Sequence, residues 1–188
     1  KGNPVPFVME LPNYRFPSAK SVVLLMWEKA KDFLTRAFTV IFMATVIIWF
    51  MQTFDTRLNV VENSADSILA ALGRLVSPIF APLGFGDWRM VTALVSGFTA
   101  KEAVVSTFGV ILGVSTEQLG IALHSLFTTA SAASFLAFCL LYTPCVAAVS
   151  TIKTELKSGW KTVGIVFAQC LVAWLAAFMV YHVGLLLT

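Results

Sequence analysis

The 188-residue chain is 58% hydrophobic and only 12% charged, with a formal charge of +3 and a mean hydropathy of +0.84, whereas a soluble domain carries about a quarter charged residues. That composition excludes an ordinary water-soluble domain, and the small positive excess sits beside apolar runs as a topology signal, giving nucleic-acid binding no support. Cys139, Cys145 and Cys170 lie in apolar stretches without CxxC spacing, so neither a disulfide framework nor a zinc knuckle is expected. With no GxxxxGK[ST] phosphate loop, no nucleotide site is expected in this chain. It starts at Lys1 without a signal-peptide pattern and reads as a piece of something longer.

Pro4, Pro6, Pro12 and Pro17 remove backbone donors and make residues 1 to 17 an extended lead-in. From Ser18, a candidate N-cap, Val22, Val23, Met26, Trp27, Ala30, Phe33 and Leu34 recur at helical spacing. Lys20, Glu28, Lys29, Lys31, Asp32 and Arg36 take the opposite face. This predicts an amphipathic helix lying at the membrane interface, which runs without a break signal into the uncharged residues 37 to 54, a first crossing. Lys1, Arg15, Lys20, Lys29, Lys31 and Arg36 precede that crossing, while residues 55 to 66 hold Arg57 among Asp55, Glu62 and Asp66. The N-terminal side is therefore predicted to be cytoplasmic.

Residues 67 to 83 repeat apolar side chains, but Arg74, Pro78 and Pro82 favour a short interfacial or re-entrant helix over a clean span. The stretch from Trp88 to Gly113 is long enough to cross, at ~1.5 Å per residue, yet it contains Gly97, Lys101, Glu102 and Gly109 and predicts a broken helix. Residues 119 to 131 and 132 to 152 form two further apolar pieces, the second interrupted by Pro144 and followed by Lys153, Lys157 and Lys161. Residues 162 to 187 are a crossing with Trp160 and Tyr181 as interface anchors. The expected fold is all-α, a polytopic membrane bundle with broken or re-entrant helices. Its parts are a lead-in and amphipathic helix over 1–36 and a transmembrane transport region over 37–188.

Ionisable side chains deep in a membrane helix are costly and usually serve a pathway, which makes Lys101 and Glu102 the first candidates. Adjacent residues point about 100° apart on a regular helix and cannot neutralise each other, so each needs another partner or the helix opens there. The second candidate is Leu141-Tyr142-Thr143-Pro144-Cys145. Pro144 cannot bond the carbonyl of Leu140, a freed carbonyl is a cation ligand, and Cys145 and Thr143 add a soft sulfur and a hydroxyl. A proline kink beside an inert, packed cysteine is the commoner meaning of such a sequence. Cys139, Cys170, His124, His182 and the scattered methionines read as packing or satisfied interfacial groups.

Three motifs stand in order: Met9-Glu10-Leu11-Pro12-Asn13-Tyr14-Arg15-Phe16-Pro17, Gly97-Phe98-Thr99-Ala100-Lys101-Glu102-Ala103-Val104-Val105-Ser106-Thr107, and Leu141-Tyr142-Thr143-Pro144-Cys145. Together they resemble FeoB-type ferrous iron transporters, with Asn13 departing from an expected second proline. The resemblance implies a nucleoside-transporter-like Gate fold and import of Fe(II) across the bacterial inner membrane, a transport module and no enzyme. It also implies partners in the bilayer, in a first Gate segment holding a matching cysteine, and in a cytoplasmic GTP-binding domain, both outside this chain; a homo-oligomer stays open. By the same resemblance Cys145, Glu102 and Thr143 are metal ligands. Lys101, Pro144 and Ser106 belong to the pathway or its gating, and Glu10 and Arg15 to coupling. The alternatives are a nucleoside-transporter-like carrier of another solute or metal, an intramembrane enzyme using Cys145 or Ser106 as nucleophile, and a structural module for oligomer assembly.

Overall fold

A computed structural model describes residues 17–143 and 145–187, apart from the side chains of Arg36, Ala37 and Thr116. Every regular element among them is helical, and the one β-type contact is an isolated antiparallel bridge between Phe54 and Val60. The helices are α1 (Ala19–Thr53), α2 (Ile68–Phe80), α3 (Trp88–Gly97), α4 (Ala103–Leu112), α5 (Thr116–Leu126), α6 (Thr129–Leu141), α7 (Val146–Leu156) and α8 (Gly159–Leu187). The chain divides into two compact units, Lys1–Thr35 and Arg36–Thr188.

In the first unit, Ser18 caps α1 as its residue type predicts: the Ser21 N–H donates to Ser18 Oγ at 3.2 Å. Val23, Leu24, Leu25, Met26 and Trp27 are all exposed there, an apolar surface suited to lipid.

In the second unit, Asp55 follows α1 and folds the chain back by accepting from the Arg57 and Asn59 N–H groups at 2.7 and 2.9 Å. Those bonds place an acid at the neck of the loop and hold its carboxyl below the ordinary range, the Asn59 N–H contributing most. Ser67 then caps α2 through the Ala70 N–H at 3.1 Å. Arg74, which spoiled a clean span, is satisfied locally: its guanidinium donates to the Ala65 carbonyl at 2.8 Å and lies 5.2 Å from the Trp88 ring centroid. After α2, a short 3-10 turn at Ala81–Leu83 and Gly84, at φ +81°, reverse the chain. As a result α2 with its turn and α3 form a pair bent by 103°. The pair α4 and α5 is bent by 79°.

Residues 119 to 152 divide differently from the sequence expectation. α5 already ends at Leu126, because the Thr128 hydroxyl accepts from the Ser131 N–H at 3.2 Å while Ser131 Oγ accepts from the Thr128 N–H at 2.9 Å. This reciprocal cap starts α6 at Thr129. Small residues then let α6 and α8 approach closely: Ala130, Ser134, Ala173 and Ala177 are buried, and a Cβ on Gly184 would meet Ala130 at 3.0 Å. Ser134 Oγ donates across the seam to the Ala177 carbonyl at 2.9 Å. The Tyr181 ring lies over Gly84.

An aromatic core surrounds this seam. Phe80–Phe138, Phe85–Phe135, Phe85–Phe138 and Phe127–Phe135 meet edge-on or tilted with ring centroids 5.1 to 6.0 Å apart, and Phe80 stacks on Phe85 at 5.6 Å. Among the described residues three helices are long and apolar enough to cross a membrane, by length and composition: α1, α6 with α7, and α8. The number rises to five if each bent pair is one span. Their outward surfaces are apolar, as at Phe42, Ile47, Leu136, Leu140, Phe167 and Leu175, giving the polytopic, all-α membrane fold that the composition dictates.

Candidate functional site

Two helix interruptions face each other, residues 98–102 between α3 and α4 and residues 142–145 between α6 and α7. At the first, α3 closes when the Phe98 N–H donates to the Val95 and Ser96 carbonyls, with Thr99 Oγ1 reinforcing Ser96 at 2.7 Å. The Lys101-Glu102 pair stands at the far end of this interruption, just before α4. At the second, the Tyr142 N–H makes the last α6 bond, to Phe138 at 2.8 Å, and α7 starts with Cys145 at its N-cap.

Each interruption satisfies the other. The Val146 N–H, first of α7, has no partner in its own helix and donates at 3.1 Å to the Phe98 carbonyl at the end of α3. The Leu140 carbonyl has no helical donor either, because the residue four places on is Pro144. It accepts from the Lys101 ammonium at 3.2 Å. That ammonium also lies 5.3 Å from the centroid of the Tyr142 ring, itself stacked on Phe138 at 5.4 Å. Positive charge thus meets the carbonyl end of α6, where the helix dipole is negative. Gly97 makes the approach feasible, since a Cβ there would lie 2.7 Å from the Tyr142 hydroxyl and collide with Val104. The hydroxyl is buried and has no hydrogen-bond partner among the described residues.

Thr143 is buried, and its hydroxyl is engaged away from Cys145, with the Val166 carbonyl at 3.3 Å and Cys170 Sγ at 2.9 Å. Cys145 is half-buried and makes no capping bond. Glu102 and Ser106 are exposed one helical turn apart at the start of α4. Glu10, Arg15 and Pro144 lie outside the described residues. Among the described residues no group of three or more His, Cys, Asp or Glu side chains is placed to hold a metal ion. Beside the interruptions opens a cavity of about 800 Å³ whose wall includes Lys101, Phe108, His124, Phe135, Leu140 and Tyr142.

Sequence reasoning found Lys101 and the freed Leu140 carbonyl separately, and it missed that they bond each other. It also took Cys170 as packing and gave Tyr142 and Phe98 no role. An unpaired lysine in one stretch and an unpaired carbonyl in another were the available signals, and neither says that the two meet.

A family profile described as "Nucleoside recognition", the Gate family, matches residues 34–159, and one described as "Ferrous iron transport protein B C terminus" matches residues 1–29. The chain is 39% identical over 180 residues to the Fe(2+) transporter FeoB of Staphylococcus aureus (strain COL), covering 95% of this chain and 27% of that protein. It is 32% identical over 194 residues to the Fe(2+) transporter FeoB of Methanocaldococcus jannaschii, covering 100% of this chain and 29% of that protein. It is also 31% identical over 231 residues to an Fe(2+) transport protein A/Fe(2+) transporter FeoB fusion protein of Porphyromonas gingivalis, covering 97% of this chain and 27% of that protein. The chain therefore spans between a quarter and a third of the length of these relatives. No solved structure matches it.

Proposed function

Because this chain belongs to the nucleoside-recognition (Gate) family and is the C-terminal membrane part of an FeoB protein, we propose that it forms one wall of a path importing ferrous iron across the bacterial inner membrane. The observation that carries this reading is the interlocked pair of helix interruptions, which puts Cys145 and Glu102 on two segments joined by the Val146–Phe98 bond. Interrupted helices present unpaired backbone groups and side chains to a permeant ion inside a membrane. Cys145 offers a soft sulfur and Glu102 a hard carboxylate, a mixed donor set suited to a borderline divalent ion such as Fe(II). Thr143 joins that set only when its hydroxyl leaves Cys170 and Val166. Ser106, one turn beyond Glu102, lines the approach, and Pro144 keeps the second interruption open.

Residues 1–36 act as the coupling segment toward a GTP-binding domain outside this chain, with Glu10 and Arg15 assigned to that coupling, and residues 37–188 as the transport region. The basic residues before the first crossing set the N-terminal side in the cytoplasm.

The test is anaerobic ferrous iron uptake into proteoliposomes by the complete transporter, comparing the unmodified protein with Cys145→Ser at equal, correctly oriented insertion. Uptake is expected to fall by about tenfold or more, the scale on which metal-site contacts act. Unchanged uptake removes Cys145 from the path.

A further inference from the structure

The cavity beside the two interruptions carries one fixed charge on an otherwise largely apolar wall. Val104, Phe108, Leu123, Phe127, Phe135 and Leu136 furnish much of that wall, around a space of about 800 Å³, a size that takes one small organic ligand. Along α6 the wall runs from Thr129 to Leu140, roughly 16 Å at 1.5 Å per residue. That length is about half the ~30 Å hydrocarbon core of a bilayer, and so about the reach of one acyl chain. Gly120 of α5 also borders the space, and a Cβ there would meet nothing within 4 Å. Val105, Leu136 and Leu140 are exposed, which leaves the cavity open toward the apolar outer surface of the helices.

Lys101 stands at one end of this space. Its ammonium donates to the Leu140 carbonyl at 3.2 Å and lies 5.3 Å from the Tyr142 ring centroid, and among the described residues no carboxylate pairs with it. An ammonium has three donors and no acceptor, so one hydrogen bond leaves donors over. A positive charge against an apolar wall also calls for a counter-charge, which these residues do not supply. We propose that the cavity binds a long-chain fatty carboxylate, its head on the Lys101 ammonium and its chain lying along α6 toward Thr129. The lysine selects the anion and the apolar wall selects the chain. A small inorganic anion leaves the space empty, and an uncharged chain leaves the lysine uncompensated. His124, Thr128 and Thr129 border the cavity as exposed residues, so the head group goes to Lys101, where it adds to the Leu140 bond without displacing it. The bound acid links the interruption between α3 and α4 to the length of α6, a contact supplied from the membrane. The site stands independently of the iron-path reading.

The complete transporter, in phosphatidylcholine nanodiscs at alkaline pH where a fatty acid is ionised, is labelled with a palmitate carrying a mid-chain diazirine. Mass spectrometry reads the labelled residues, with unlabelled palmitate or hexadecanol as competitor. Labelling is expected on the cavity wall formed by α4, α5 and α6. Palmitate is expected to suppress it at about tenfold lower concentration than hexadecanol, the scale of one hydrogen bond between charged groups. Lys101→Met removes that preference and Lys101→Arg keeps it. Gly120→Leu introduces a better helix former whose side chain fills the open space, so wall labelling falls to background in a folded protein. That variant carries the test should Lys101→Met fail to fold. Labelling confined to outward surfaces such as Phe167 and Leu175 overturns the proposal, and is the result expected if the rest of the transporter fills the cavity. Equal competition by palmitate and hexadecanol in the unmodified protein, a preference that survives in a folded Lys101→Met, or wall labelling unchanged in Gly120→Leu overturns it as well.

Discussion

The Tyr142 hydroxyl occupies the space a side chain at position 97 would need: a Cβ on Gly97 would lie 2.7 Å from it. Gly97→Ala is therefore expected to push Tyr142 off its stack with Phe138 and to crowd Val104. Overpacking of this kind costs about 1 to 3 kcal/mol. The check is a lower thermal midpoint for the complete transporter, together with a fall in ferrous uptake larger than the stability loss explains.

Gly84 turns at φ +81° directly beneath the Tyr181 ring. Gly84→Ala adds left-handed backbone strain of about 1 to 2 kcal/mol to a collision with that ring. Tyr181→Ala in the same molecule removes the collision and leaves the strain. Thermal unfolding is expected to order the variants as unmodified, double, then Gly84→Ala, and a double variant no more stable than Gly84→Ala counts against the contact.

Along the α6–α8 seam, Ala177 is fully buried and its carbonyl accepts from Ser134. Ser134→Ala deletes one interhelical hydrogen bond, worth about 0.6 kcal/mol and at most about 1.7 in membrane interiors. Ala177→Leu wedges the helices apart and is expected to destabilise by several times as much. Equal midpoints for the two variants would show that the seam tolerates separation.

Lys157 ends α7 in the left-handed region at φ 50°, where glycine is the usual residue. Lys157→Gly is expected to stabilise the fold by about 1 kcal/mol, relief of strain outweighing the added chain entropy. A raised midpoint supports the assignment, and a lowered one means that the lysine makes a compensating contact.

Asp55 has its carboxyl held below the ordinary value of 3.8, chiefly by the Asn59 N–H. A depressed carboxylate contributes stability that is present above its ordinary value and is lost as pH falls through the folded one. The loop from Asp55 to Asn59 is therefore expected to loosen only in acid below that value, followed by nuclear magnetic resonance of the Asn59 amide. Asp55→Asn should flatten the response over the same window.

Much of this architecture was legible because it depends on local chemistry. Pro144 denies Leu140 a donor wherever the chain goes. The Lys101-Glu102 pair called for another partner or an opened helix, and the structure has both: Lys101 bonds the Leu140 carbonyl, and the pair lies in the interruption between α3 and α4. Arg74 and two prolines favoured a short interfacial or re-entrant helix over residues 67 to 83, and α2 with its turn is a short piece that ends before a sharp bend into α3. The boundary between α5 and α6 was misplaced because Thr128 and Ser131 form a reciprocal cap inside a stretch whose hydropathy does not change there.

The candidate site was legible as two unconnected halves. Cys170 lies 27 residues from Thr143, and Lys101 lies 39 from Leu140, so no periodicity within one helix relates them. The sequence by itself determined that this is a helical membrane protein and that its helices break near Lys101-Glu102 and near Pro144, since apolar runs, proline and charge act locally. Only the tertiary structure decided that the two failures meet, with Phe98 serving Val146 and Lys101 serving Leu140. That pairing depends on how the aromatic core and the small-residue seam between α6 and α8 set the helices side by side.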